Sequence, residues 1–309
     1  MAYIIGTVGS DTLRGTAQDD TFDLSQGGND IALGKAGNDT FVVGPAFNAS
    51  DRIDGGADID FLNLTADYSA GLALGPLTLR NIEVVNLGAG FDYKIITHDS
   101  NIGAGQILNV SAEDLGSADH LELDASAETD GQLFAWGGLG DDILRGGAGD
   151  DFINVSQDGT DKVHGGGGND RVYFGLSFCF GDFVDGGDGG YDEVLIGVDI
   201  GGRLGAAQLR NVERVELSNY GSNTITTGDS LVAAGATIAF DHSYPPGSFT
   251  FNGAAERDGH FILTGGEGDD RLTGGHQADQ FFLLYTGGND AVNGWGGDDI
   301  FFANSNFKP

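Results

Sequence analysis

Positive charge, cysteine and proline are all scarce in this chain. Fourteen Lys and Arg stand against forty-seven Asp and Glu, a formal charge of -33. A surface of that sign repels nucleic acid and anionic membranes and attracts cations. The single cysteine, Cys179, excludes an intrachain disulfide framework. No run approaches the ~18 apolar residues of a membrane span. The opening MAYIIGTVGSDTL has neither the basic start nor the apolar middle of a Sec-type signal peptide. Neither nucleic-acid binding nor membrane insertion is expected. Catalytic signatures are missing too: there is no GxSxG elbow, P-loop or dinucleotide fingerprint, and the six histidines show no zinc spacing. The expectation is a chain without enzymatic activity, with its histidines in solvated or turn positions.

What the chain has in excess is glycine, 55 of 309 residues, alongside 39% apolar residues. That is too apolar for a disordered linker and too glycine-rich for a helical protein. The glycines travel with aspartates, as in WGGLGDDILRGGAGDDFINV (136–155). Asp11, Asp20, Asp30 and Asp39 form one set spaced about nine residues apart; Asp142, Asp151, Asp161 and Asp170 form a second; Asp270, Asp279, Asp290 and Asp299 form a third. Two residues after each stands an apolar side chain, for example Phe22, Phe41, Leu144, Ile153, Leu272 and Phe281. Fixed-period self-similarity of this kind is the mark of a repeat architecture.

A longer repeat of about 130 residues carries the short one. LRNIEVVNL (79–87) returns as LRNVERVEL (209–217), SAETDG (126–131) as AAERDG (254–259), and DRIDGG (51–56) as DFVDGG (182–187). This divides the chain into aspartate-glycine blocks at 1–50, 137–181 and 265–309, separated by β-rich spacers at 51–136 and 182–264. Aligning the third block on the first sets Phe301 on Phe41 and Phe307 on Phe47, but no D-x-[IV]-D-G-G turn follows; the expectation is that the parent protein continues beyond Pro309.

The unit reads G-G-x-G-x-D-x-U-x, with U a large apolar residue. Its glycines permit tight turns with inward carbonyls, its aspartate offers a hard anionic oxygen, and x-U-x is a minimal strand with its middle side chain facing a core. Stacked turns would bring carboxylates together, and a hard cation between them would relieve their repulsion; calcium suits the role better than magnesium, which demands tighter octahedral geometry. An ordinary Asp-Gly turn accounts for one such motif, but not for twelve in phase with an apolar period. Glu128 and Asp130, with counterparts Glu256 and Asp258, suit a turn salt bridge or cap better than an extra cation site. Glu83 and Glu213 suit a structural role at a strand end.

GGLGDD (137–142), GGAGDD (146–151), GGGGND (165–170) and GGEGDD (265–270) match the nonapeptide in full. On these motifs the chain resembles the RTX, or haemolysin-type calcium-binding repeat, family; the spacers are similar to those of large alphaproteobacterial RTX and surface-layer-like proteins. The resemblance implies an all-β fold, a right-handed parallel β-roll solenoid. It also implies several calcium ions, held by the repeat aspartates and by backbone carbonyls near Gly137, Gly140, Gly146, Gly149, Gly165, Gly168, Gly265 and Gly268. Asp60, with Asp58 where glycine is expected, and Asp192, in the displaced turn GDGGYD, join the candidate ligands. The turns before Asp20 and Asp279 depart from the pattern, with Gln18 and Gln277 at the fourth glycine. Type I secretion without an N-terminal signal, and an extracellular or cell-surface location, are further implications.

Together these readings predict a calcium-binding structural or adhesive repeat protein that folds on calcium binding after export. Cell-surface polysaccharide and further copies of itself are the candidate partners. Two alternatives stand beside it: the calcium-binding module of a larger secreted enzyme whose catalytic domain lies outside this chain, and a carbohydrate-binding module that uses its aromatics.

Overall fold

The computed structural model describes residues 1–218, 221–243, 246–283 and 287–303. Phe307, matched to Phe47 above, lies outside them. The chain divides into two compact units, Met1–Gly168 and Asn169–Pro309. Each is a parallel β-solenoid, and the only helical element among the described residues is one 3-10 turn, Asp99–Asn101.

The construction follows from the D-x-U rhythm. After each glycine turn the chain runs extended for three to six residues, too few for an isolated strand, and gains its hydrogen bonds from the coils before and after it. In the first unit Tyr3–Ile5, Thr21–Leu24, Thr40–Val43, Phe61–Leu64, Val84–Leu87, Ile107–Ser111, Gln132–Trp136 and Phe152–Asn154 line up in that order as one parallel sheet. Facing it are Thr12–Arg14, Ile31–Ala36, Arg52–Ala57 and Leu79–Arg80, then Tyr68–Ala73, Tyr93–Ile96, Leu121–Asp124, Ile143–Arg145 and Lys162–Gly167. The second unit repeats the plan. Arg171–Gly175, Glu193–Ile196, Arg214–Leu217, Thr237–Asp241, His260–Thr264, Gln280–Leu283 and Ile300–Ala303 form one sheet; Gly202–Leu204, Asn223–Thr227, Phe249–Asn252, Arg271–Thr273 and Ala291–Asn293 form another.

Register explains the nine-residue period. Phe22 pairs with Phe41, and Phe41 with Leu62. Equivalent positions in neighbouring coils lie 19 or 20 residues apart in the blocks, 18 or 21 at the block edges and 23 on entering the spacer. One nonapeptide is therefore half a coil, and alternate aspartates fall on opposite sides of the solenoid. The spacers are not side lobes: Phe61–Leu64 pairs with the block strand Thr40–Val43, and Val84–Leu87 pairs with Phe61–Leu64, all in parallel.

The core is the narrow space between facing sheets. Phe22, Ala32, Phe41, Leu144, Ile153, Val163 and Phe281 are wholly buried. Phe22 and Phe41 stack at 4.6 Å between ring centroids. Phe301 stacks on Phe281 at 4.9 Å yet remains 51% exposed, having no further described coil against its other face. His242 departs from the expected solvated position. It is wholly buried and stacks on Phe249 at 5.3 Å. Burial holds its imidazole below the ordinary value, which favours the neutral ring. No helix among the described residues is long and apolar enough to cross a membrane.

Candidate calcium sites

Because U faces the core, the aspartate two residues earlier also points inward, at the place where the turn closes. Asp20, Asp30, Asp39, Asp60, Asp142, Asp151, Asp161, Asp170, Asp192, Asp270 and Asp279 are all at most 3% exposed. Asp11, Asp290 and Asp299 are half-buried. A buried ionised carboxylate is costly unless paired or hydrogen-bonded, and the coils answer part of that cost with a ladder. Asp39 Oδ1 accepts the Asp20 N–H at 2.8 Å, Asp60 Oδ1 accepts the Asp39 N–H at 2.8 Å, and Glu83 Oε2 accepts the Asp60 N–H at 2.8 Å. On the opposite side Asp30 Oδ1 accepts from Asp11 and Asp51 Oδ1 from Asp30.

The same ladder recurs wherever aspartates stack. Asp142 Oδ1 accepts from Leu121 N–H, and Asp161 Oδ1 from Asp142 N–H; Asp151 Oδ1 accepts from Leu133 N–H. In the second unit Asp192 accepts from Asp170, and Glu213 Oε2 from Asp192. Asp270 and Asp290, then Asp279 and Asp299, continue the pattern. Glu83 and Glu213 thus each end a column, which gives physical content to their expected strand-end role.

The second carboxylate oxygen is treated unevenly. Asp142, Asp151 and Asp279 take an N–H from their own turn, from Gly138 at 2.8 Å, Gly147 at 2.7 Å and Gly275 at 2.6 Å. At Asp39 and Asp60, Oδ2 is buried without a hydrogen-bond partner. These oxygens share their space with backbone carbonyls. A Cβ on Gly34 would collide with both Asp39 Oδ2 and the Gly55 carbonyl, and one on Gly55 with Asp60 Oδ2 and the Asn81 carbonyl. Above Gly146 the pair is Asp151 Oδ2 and the Gly165 carbonyl. Glycine is needed here to leave a cradle where a carboxylate and a carbonyl of the next coil converge. Gly137 and Gly265 keep the same clearance around Asp142 and Asp270. Gly140, Gly149, Gly168 and Gly268 are close-approach positions, where a Cβ would strike the carbonyl of Asp119, Gly131, Gly149 or Gly247.

Electrostatics mark the same groups. Burial, reinforced by the charges of Asp39, Glu83 and Asp58, pushes the Asp60 carboxyl up to about 7. Burial pushes Asp142, Asp151 and Asp270 up to about 6, against the lowering effect of the N–H groups they accept. Asp30, Asp39 and Asp279 are raised for the same first cause. Asp20 goes the other way. Burial acts upward there too, but the N–H and hydroxyl of Thr16, the Ala2 N–H and the N-terminal charge together outweigh it, so the turn GTAQDD and the start of the chain satisfy this carboxylate.

Asp51 and Asp182 were not among the residues singled out by the repeat pattern, although both are buried, at 4% and 1% exposure. Asp51 takes the Asp30 N–H on Oδ1 and the Asn48 N–H on Oδ2. The signal was present in DRIDGG and DFVDGG: each aspartate precedes a core residue, Ile53 or Val184, by two positions.

The donor set is wholly oxygen, anionic and partly unpartnered, which is what a hard divalent cation requires. The residues present therefore fit calcium, with Asp39, Asp60, Asp151 and Asp270 and the carbonyls of Gly55, Asn81 and Gly165 best placed to hold it. Comparison with known families agrees with this chemistry. The RTX calcium-binding nonapeptide repeat (4 copies) matches residues 3–27, 24–44, 134–158, 155–176, 262–283 and 286–306. No curated protein matches the chain.

Proposed function

We infer that this chain, which carries RTX calcium-binding repeats in a parallel β-solenoid, is an exported structural element whose folding depends on calcium. The observation that carries the reading is the column of buried carboxylates, two of which, Asp39 and Asp60, keep an oxygen without a partner beside a glycine cradle. Bound calcium supplies the positive charge that fourteen Lys and Arg cannot. The repeat aspartates close the turns, hold neighbouring coils in register through Oδ1, and present Oδ2 and the facing carbonyls to the cation. Extracellular calcium modules commonly have dissociation constants of about 10⁻⁴ to 10⁻³ M. At cytosolic calcium such sites stay empty, and the chain's self-repulsion then favours the unfolded form; outside the cell, binding free energy becomes folding free energy. Type I export, a place at the cell surface and an adhesive or scaffolding role follow as parts of the same proposal.

The test is a calcium titration of the chelated full chain by far-UV circular dichroism, repeated with magnesium. The expected result is a cooperative gain of β signal near millimolar calcium and little response to magnesium. A β spectrum indifferent to chelation at neutral pH would overturn the proposal.

A further inference from the structure

Outside the nonapeptide turns, two clusters of acids stand apart among the described residues, and the first has the clearer need of a partner. Asp99, Glu128 and Asp130 bring carboxylate oxygens within 4.8 Å of one another. Asp99 lies in the 3-10 turn Asp99–Asn101, and Glu128 and Asp130 in the turn before the strand Gln132–Trp136. The register shows what has changed. Leu123 pairs with Leu144 and Ala135 with Ile153, so Ala125 occupies the place that Gly146 has in the next coil, Leu133 the place of Asp151, and the turn between them is about three residues longer. Glu128 lies in that lengthened turn, with its Cβ against Gly147.

The Glu128 carboxylate takes over part of the work of the missing aspartate. In an aspartate turn, Oδ2 accepts the N–H of the second residue, as Asp151 does from Gly147. Here Glu128 Oε1 accepts N–H groups from Thr129 at 3.1 Å, Asp130 at 3.2 Å and Gly131 at 2.9 Å. This realises the expected cap, but it uses only one oxygen. Glu128 is 1% exposed, and its Oε2 is buried with no hydrogen-bond partner. Asp99 is likewise half used, its Oδ1 accepting from the N–H and hydroxyl of Thr129. Asp130, exposed to solvent, shows no side-chain hydrogen bond. Three negative groups thus meet at one turn, one of them keeping a buried oxygen without a partner, with no cation of the chain among the bonds they make.

We propose that Asp99, Glu128 and Asp130 form a calcium site of their own, separate from the nonapeptide sites and built on a lengthened turn that carries its own acids. Oxygens sharing one calcium at about 2.3–2.6 Å can stand as far apart as these do, and the open side of Asp130 leaves room for water to complete the shell. The internal duplication repeats the arrangement as Asp229, Glu256 and Asp258. In that copy the Glu256 carboxylate also accepts a long N–H bond from Val232 at 3.4 Å, so the first copy has the greater need of an ion.

The test is equilibrium dialysis of the full chain against millimolar calcium, with bound metal counted per chain and the fold checked by far-UV circular dichroism. Asp130→Asn removes a ligand without removing a hydrogen bond the turn depends on, and Glu128→Gln keeps an acceptor for the three N–H groups. Each is expected to lose one bound ion relative to the unaltered chain while keeping its β spectrum. An unaltered ion count in folded Asp130→Asn overturns the site and leaves the acids as a cap. Displacement of that one ion by an equal concentration of magnesium overturns its assignment to calcium. Because all nonapeptide aspartates remain in both variants, failure of those sites would appear instead as a low ion count in the unaltered chain.

Discussion

Asp60→Asn should change the protein's stability in opposite directions with and without calcium. In the fold, burial and the neighbouring charges of Asp39, Glu83 and Asp58 raise the Asp60 carboxyl from 3.8 to about 7. A group whose folded value lies above its unfolded value binds its proton more tightly in the fold. Its contribution is fully present below about pH 4 and is lost as pH rises through about 7. At roughly 1.4 kcal/mol per pH unit, an ionised Asp60 opposes the metal-free fold at about pH 8 by the order of 4 kcal/mol. That is a large part of the roughly 5–15 kcal/mol that holds a domain together. Asparagine removes the charge and keeps what the ladder needs. Its amide oxygen can accept the Asp39 N–H, and its amide nitrogen takes the place of Oδ2 beside the Asn81 carbonyl.

In chelator at about pH 8, Asp60→Asn should therefore melt several degrees higher than the unaltered chain, a few kcal/mol being worth that much in a domain of this size. In millimolar calcium it should melt lower, because an anionic ligand is gone. Thermal scans by circular dichroism in both buffers read the two signs directly. Near pH 5.5, still above the isoelectric point of about 4.1, the metal-free advantage of the variant should fall to about half, roughly 2 kcal/mol, since the native carboxyl is then protonated while the unfolded one is still ionised. Added salt would weaken general surface repulsion but should leave this crossing in place, because the group is wholly buried. If the variant is destabilised equally with and without calcium, Asp60 acts through its hydrogen bonds alone and the electrostatic account is wrong.

Two further outcomes follow from the packing. Gly34→Ala places a Cβ against Asp39 Oδ2 and the Gly55 carbonyl. It should abolish the calcium-dependent gain in melting temperature from that coil, where alanine at the open position Gly90 should not, as paired calcium melts will show. Phe41→Ala removes a wholly buried ring stacked on Phe22; it should cost about 3–5 kcal/mol in calcium-saturated denaturant unfolding, and a loss below about 1 kcal/mol would contradict the core described here.

The period and the chemistry were legible in the sequence because one register serves both. A D-x-U triplet places its acid and its apolar residue on the same inward side, so a list of spaced aspartates was also a list of core positions, Phe22, Phe41 and Ile153 among them. Coil length was harder to read. Two nonapeptides make one coil only because successive triplets fall on opposite sheets, and nothing in Asp20 or Asp30 alone says that they belong to different columns. The spacers hid their kinship more deeply, since insertions lengthen their coils and the acid position becomes Leu121, Leu133, Phe249 or Phe261. The cap role of Glu128 was readable from its recurrence as Glu256, whereas its meeting with Asp99 depends on a turn of the preceding coil, thirty residues before Thr129.

Those replacements also decide where stability resides without metal. A column such as Asp20, Asp39 and Asp60 stops at Glu83 because the next coils put apolar residues at the inward acid position, so buried charge accumulates only over short runs. In the spacers the same position contributes apolar burial: Leu121, Leu133, Phe249 and Phe261 are at most 1% exposed. Leu133 N–H and Leu121 N–H still donate to Asp151 and Asp142, which ties the first coil of the block at 137–181 to the last spacer coil through two buried carboxylates. The spacers can therefore hold register with little metal while the blocks depend on it. Coil order should then spread from spacer into block as calcium rises, with Asp142 and Asp151 at the boundary where the two kinds of stability meet.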